Sequence, residues 1–164
     1  DLNYANTQIA VSLAAQTGAS VEAEIGSMGA RESGEPGGES IYTAPDSAKK
    51  FSEETGIDAL ACAFGTAHGI YLKEPRLDFE RLEQIPTLVK IPLVMHGGSG
   101  VSHEDYQRVI SLGIRKINYY TYMAKAGGEA VSNKAYAQLH DAVKDAENAM
   151  KQDVLSAMRV FSRL

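Results

Sequence analysis

Four short apolar stretches, each of strand length and each separated from the next by a loop and a helix-patterned segment, constrain what this 164-residue chain folds into. Val21-Glu22-Ala23-Glu24-Ile25 alternates with period two, so its apolar side chains share one face and its two glutamates the other. Residues 57–64 form a nearly continuous apolar run, which suits a strand covered on both faces. Residues 91–95 and 114–118 complete the set. A parallel connection needs a crossover and a helix supplies it, so strands alternating with helices pair in parallel. The expected class is α/β with a parallel sheet.

The intervening segments carry the punctuation of helices. Leu2, Ala5, Ile9 and Leu13 recur at steps of three or four, and Thr17-Gly18 stops that helix. Asp46 is expected to cap a helix running through Ala48, Phe51 and Thr55 to Gly56. A helix near 78–89 is expected to kink or end early at Pro86. Ser102, with Asp105 three residues on, reads as the cap of a helix that Gly113 ends. Beyond Thr121 the pattern is helical, interrupted at Gly127-Gly128 or at Ser132-Asn133, and amphipathic to the C-terminus. Residues 26–38 are too rich in Gly, Ser, Pro and Glu for a regular element, and so long a connection is more often functional than idle.

Composition narrows function more than fold. At 44% hydrophobic and 23% charged residues, the chain has the make-up of a soluble globular protein. No apolar run approaches the roughly 20 residues of a membrane span, and a net charge of −5 argues against nucleic acid or anionic membranes as partners. One cysteine, Cys62, forms no internal disulfide and fits a reducing, cytoplasmic setting. The opening residues lack Met and the basic and apolar regions of a signal peptide, and read as a truncated or processed start.

In parallel α/β folds the reactive groups follow the C-terminal ends of the strands. His68 and His96 each close a strand-end loop, and each is followed by glycine. Taken singly, each reads as a hydrogen-bonding group. As a pair on neighbouring strands about 4.8 Å apart, they make zinc ligation an equal reading. His103 and His140 fall on helices and read as surface residues. Glu22 and Glu24 face either a lumen or water, and the covered faces of parallel sheets favour the lumen. The run His96-Gly97-Gly98-Ser99-Gly100 places small residues before a helix, where backbone N–H groups form an anion-binding concavity with the Ser99 hydroxyl as a further donor. A flexible turn looks the same. Asn118 and Thr121 sit at the next strand end. Tyr119, Tyr120 and Tyr122 read equally as a sugar pocket or as packing, and Cys62 as a small core residue.

As a set, Val-Glu-Ala-Glu-Ile-Gly (21–26), Gly-Thr-Ala-His-Gly (65–69), Pro-Leu-Val-Met-His-Gly-Gly-Ser-Gly (92–100) and Lys-Ile-Asn-Tyr-Tyr-Thr (116–121) resemble the second half of a class II, zinc-dependent ketose-bisphosphate aldolase. The resemblance implies a parallel (β/α)8 barrel, of which this chain supplies the last four βα units and the C-terminal helices as one segment, residues 1–164. A complete barrel takes about 250 residues, so the N-terminal half is expected to be missing. In the family one Zn2+ is held by three histidines; His68 and His96 match two, and the third belongs to an absent strand together with a neighbouring aspartate. Asp1 stands where a remnant of that segment would end, without the Gly-Ser that should follow. Gly69, Gly97, Gly98, Ser99, Asn118 and Thr121 match phosphate-binding positions, with a monovalent cation nearby. Glu24 matches a glutamate beside the metal, and Glu32 one that transfers a proton on the ketose-phosphate carbon. Tyr120 stands where some members carry an acidic residue.

The implied activity is reversible cleavage of a fructose- or tagatose-type 1,6-bisphosphate to dihydroxyacetone phosphate and an aldehyde, with Zn2+ stabilising the enediolate. The resemblance also implies a homo-oligomer, dimer or tetramer, and an inactive chain when the other half is absent. Two other readings use the same loops: an aldolase-like accessory subunit without catalysis, and a metal-free sugar-phosphate isomerase.

Overall fold

The computed structural model describes residues 2–28, 41–71 and 74–162. Helix α1 (Leu2–Ala15) leads into strand β1 (Glu22–Ile25), and three further units follow: α2 (Pro45–Thr55) with β2 (Ala59–Cys62), α3 (Phe79–Leu88) with β3 (Leu93–Met95), and α4 (His103–Ser111) with β4 (Ile114–Ile117). Helices α5 (Thr121–Ser132) and α6 (Leu139–Phe161) end the chain. The strands pair in parallel in chain order, β1-β2-β3-β4. A doubly wound sheet reverses direction at a switch point, whereas unreversed order is the winding of a barrel. The sheet is thus four consecutive units of a (β/α)8 architecture.

The face of the sheet turned toward the helices is apolar. Leu60, Cys62, Phe64, Leu93, Met95 and Ile114 form one buried cluster with Ala48 and Phe51 of α2, Leu82 and Ile85 of α3, and Tyr106 and Val109 of α4. Tyr4 of α1 packs edge-on against Phe51, with ring centres 4.9 Å apart. Among the described residues no helix is long and apolar enough to cross a membrane.

Several boundaries differ from the sequence expectation, each for a local reason. Helix α2 starts one residue before Asp46: Ala44 is the cap position, without a side-chain cap, and Pro45 takes the first turn. Proline's fixed φ and missing N–H suit that position, which leaves Asp46 as a favourable charge at the helix N-terminus. Pro86 does not end α3, which runs on to Leu88; so near the helix end few hydrogen bonds remain to lose, and the ring packs over Gly113. Asp78 caps α3 by accepting from the Arg81 N–H at 3.0 Å. Ser102 caps α4 through the Asp105 N–H at 3.1 Å, as its position predicts. The break in the last helical region falls after Ser132, not at Gly127-Gly128. Gly127 lies inside α5 against α6, where an added Cβ would stand 2.7 Å from Met150 Cγ.

Candidate active site

Strand alternation separates the two faces of the sheet. With Leu60, Leu93 and Met95 committed to the helices, Glu22, Glu24, Ala61 and Val94 fall on the opposite, inner face, where the register aligns Glu24 with Ala61 and Ala61 with Val94. His96 follows β3 with the same parity. Its ring lies between the two glutamates, Nδ1 at 2.9 Å from Glu24 Oε2 and Nε2 at 2.9 Å from Glu22 Oε1. Glu22 also meets Lys116 Nζ of β4 at 3.0 Å.

Charge balance explains why these groups coexist. The hydrogen bond to Glu24 raises the His96 imidazole above its ordinary value against the opposing pull of burial, and Glu22 adds to the rise. Burial pushes the Glu22 carboxyl up, but hydrogen bonds from His96 and Lys116 outweigh it and leave the group below its ordinary value. An imidazole donates from both nitrogens only as the imidazolium, so both contacts are hydrogen bonds donated by His96 only when that ring is protonated.

His68, at the end of β2, faces His96 with ring centres 6.1 Å apart and planes inclined by 30°. Imidazole nitrogens are the donors that zinc commonly takes, and these two rings lie side by side at neighbouring strand ends. Each nitrogen of His96 already holds a carboxylate. A metal would take one nitrogen, and the glutamate on the other would orient the ring, as carboxylates behind metal-bound histidines do. Among the described residues no three His, Cys, Asp or Glu side chains converge as a ligand set. The donors therefore suit a zinc-type ion in chemistry, with two imidazoles on this chain and a further ligand required.

A cavity of about 170 Å3 opens beside His68. Gly69, Gly97, Ser99, Asn118 and Thr121 line it together with His68, Ala67 and Tyr120. Seven residues singled out in the sequence thus share one hollow at three successive strand ends. Ser99 is buried, and its Oγ accepts from the backbone N–H groups of Tyr120 and Thr121 at 2.9 and 3.0 Å, capping α5 from another loop. A hydroxyl has two acceptor sites and one proton, so Ser99 keeps only its proton for a ligand. Gly98 plays a different part from the one expected. Its N–H donates to the Asn118 carbonyl at 3.1 Å, and an added Cβ would stand 2.5 Å from Ile117 Cγ2, so Gly98 packs β3 against β4 and its amide is spent. Gly97 adopts φ +62°, and a Cβ there would meet the Ala67 carbonyl at 2.3 Å. Only glycine fits this approach without strain.

Three groups escaped the sequence reading as site residues. Tyr71 accepts from the Ala67 N–H at 2.9 Å and donates to the Gly97 carbonyl at 2.8 Å, tying together the loops that carry His68 and His96. Nothing local marks it. Glu22 was placed on the right face but given no role. Lys116 stands two residues before Asn118, and strand parity alone would have put both on one face. Glu32 lies outside the described residues.

Comparison with known proteins agrees with this fold. The family model described as Fructose-bisphosphate aldolase class-II matches residues 1–163. The YdjI aldolase from Escherichia coli K12 superposes with a TM-score of 0.83 at 36% identity, covering 97% of this chain and 55% of that one. A putative fructose-1,6-biphosphate aldolase from Coccidioides immitis superposes with a TM-score of 0.90 at 29% identity, covering 98% of this chain and 58% of that one. The fructose-bisphosphate aldolase of Campylobacter jejuni, with a TM-score of 0.71 and 21% identity over 98% of this chain and 55% of that one, speaks for the fold alone. The chain spans a little over half the length of the structures it matches.

Proposed function

The chain belongs to the class II fructose-bisphosphate aldolase family, and from that premise we propose that it carries the phosphate site and two of the metal ligands of an enzyme that reversibly cleaves a ketose 1,6-bisphosphate to dihydroxyacetone phosphate and an aldehyde. The observation that carries this reading is the hollow lined by Gly69, Gly97, Ser99, Asn118 and Thr121, opening beside the paired rings of His68 and His96. The N-terminus of α5 borders it through Thr121, and a helix N-terminus favours a negative charge. The Ser99 proton and the Asn118 amide are donors for phosphate oxygens. His68 and His96 would hold Zn2+, which supplies a Lewis acid to polarise the substrate's carbonyl. Glu24 keeps the His96 ring in orientation. Glu32 is the residue proposed to move a proton on the ketose-phosphate carbon, and the third histidine and an aspartate are proposed to come from the other half of the barrel.

The test is cleavage of fructose and tagatose 1,6-bisphosphates by the full-length protein, followed as release of dihydroxyacetone phosphate. Cleavage should disappear on exhaustive chelation and return with Zn2+. Cleavage that survives chelation would overturn the zinc reading in favour of a metal-independent enzyme. A zinc-free protein with no cleavage under any loading would identify an accessory subunit.

A further inference from the structure

Strand β4 does not keep simple alternation. Leu93 pairs with Ile114 but Val94 pairs with Lys116, so Arg115 is an extra residue on β4, a bulge. Ile114 is buried in the outer-face core, and plain alternation from it would carry Arg115 to the inner face and Lys116 away from it. The bulge changes the phase. The Arg115 guanidinium folds back onto the Ile110 and Ile114 carbonyls, both at 3.0 Å, while Lys116 enters the inner face. Bulges recur beside functional sites, where they re-aim a side chain.

Lys116 has two partners there. Its Nζ lies 3.0 Å from Glu22 Oε2 and 2.6 Å from Asn118 Oδ1. An ammonium has three donors and no acceptor, so the Asn118 atom turned to it is the carbonyl oxygen, and the amide's two N–H donors are directed elsewhere. Asn118 lines the cavity. Glu22, held in turn by His96, anchors the lysine from the opposite strand, so the ammonium is fixed on two sides.

We propose that Lys116 is a positioning residue that locks the Asn118 carboxamide with its Nδ2 donors turned into the cavity, ready for an anionic oxygen of phosphate type. The identity of that ligand rests on the proposed function; the orientation of the amide does not. Without the ammonium, the carboxamide is free to turn over and present its oxygen to the anion, which exchanges a donor for a repelling acceptor. The β4 bulge is the backbone feature that makes this pairing available.

The experiment follows the Asn118 side-chain amide of the full-length protein by 15N–1H NMR, first free and then during titration with inorganic phosphate. In the unsubstituted protein the amide should give one distinct signal pair, displaced further by phosphate. Lys116→Met should move that pair toward the position of an unrestrained amide and weaken phosphate binding about tenfold to a hundredfold, the value of one hydrogen bond to a charged group. Lys116→Arg, which keeps donors and lacks acceptors, should restore both in part. Lys116→Leu, which also has no donor, carries the same expectation of a lost orientation should Lys116→Met fail to fold. A free-protein signal that none of these substitutions moves overturns the positioning role, and so does a lost orientation with unchanged phosphate affinity. A signal that depends on Lys116 in a protein that binds no phosphate supports the orientation and refutes the phosphate reading instead.

Discussion

On the outer face of the sheet, Leu60, Cys62, Leu93, Met95 and Ile114 are each 2% exposed or less. On the inner face, the same sheet and the turns that extend it carry Glu22, Glu24, His96, Lys116 and Asn118. The outer face removes apolar area from water at about 25 cal/mol per Å2 and supplies stability. The inner face buries less, chiefly Ala61 and Val94, and its charges persist because each finds an opposite partner within hydrogen-bond reach. Ala59 and Ala61 on β2 are small, which leaves room beside them for the longer polar side chains. Strand parity is thus the device that separates holding the fold from performing the chemistry.

That division breaks first, if it breaks, at matched substitutions on the two faces. Leu60→Ala should cost about 2–5 kcal/mol in urea unfolding, as truncation of a fully buried leucine does. Glu22→Gln should cost under about 1 kcal/mol in the same measurement, because its ion pairs are partly open to water. Equal losses would show that the inner face also holds the fold. Tyr71→Phe tests the link between the two histidine loops. It removes both hydrogen bonds of the hydroxyl, should cost about 1–3 kcal/mol, and should speed hydrogen exchange at the Ala67 N–H. An unchanged exchange rate would mean that the glycine contacts alone join those loops.

The smallest effect is at Cys62. Burial, with Glu24 adding to it, pushes the thiol up from an ordinary 9.0 to about 12. A group whose folded value is raised favours the folded state below its unfolded value, so this contribution is intact below about pH 9 and is lost as pH rises toward 12. At pH 8 a thiol reagent should label Cys62 only after urea unfolds the chain. Labelling of the folded chain would show that the outer face opens to solvent.

Much of this molecule was legible because its signals are local. The four strands, their parallel pairing and the loops that follow them are written in apolar runs, and Ser102 announced its cap. Grouping at the strand ends was legible too, since β-strand ends of one sheet lie side by side: His68, Gly69, Gly97, Ser99, Asn118 and Thr121 meet at one hollow. Local misreadings arose where two signals compete, as when Pro45 takes the helix start ahead of Asp46, or where Pro86 meets Gly113 across the fold.

The succession of apolar strand-length runs and helix-patterned segments along the chain was enough by itself to determine a parallel α/β sheet with its polar groups gathered at the strand ends. Only the tertiary structure decided which of those groups touch. The spending of the Gly98 amide on Asn118, the two carboxylates on His96 and the turn of Lys116 toward Asn118 all depend on register between strands. Register is a property of paired backbones, and a single inserted residue at Arg115 changes it without leaving a mark in the composition or the period of the sequence.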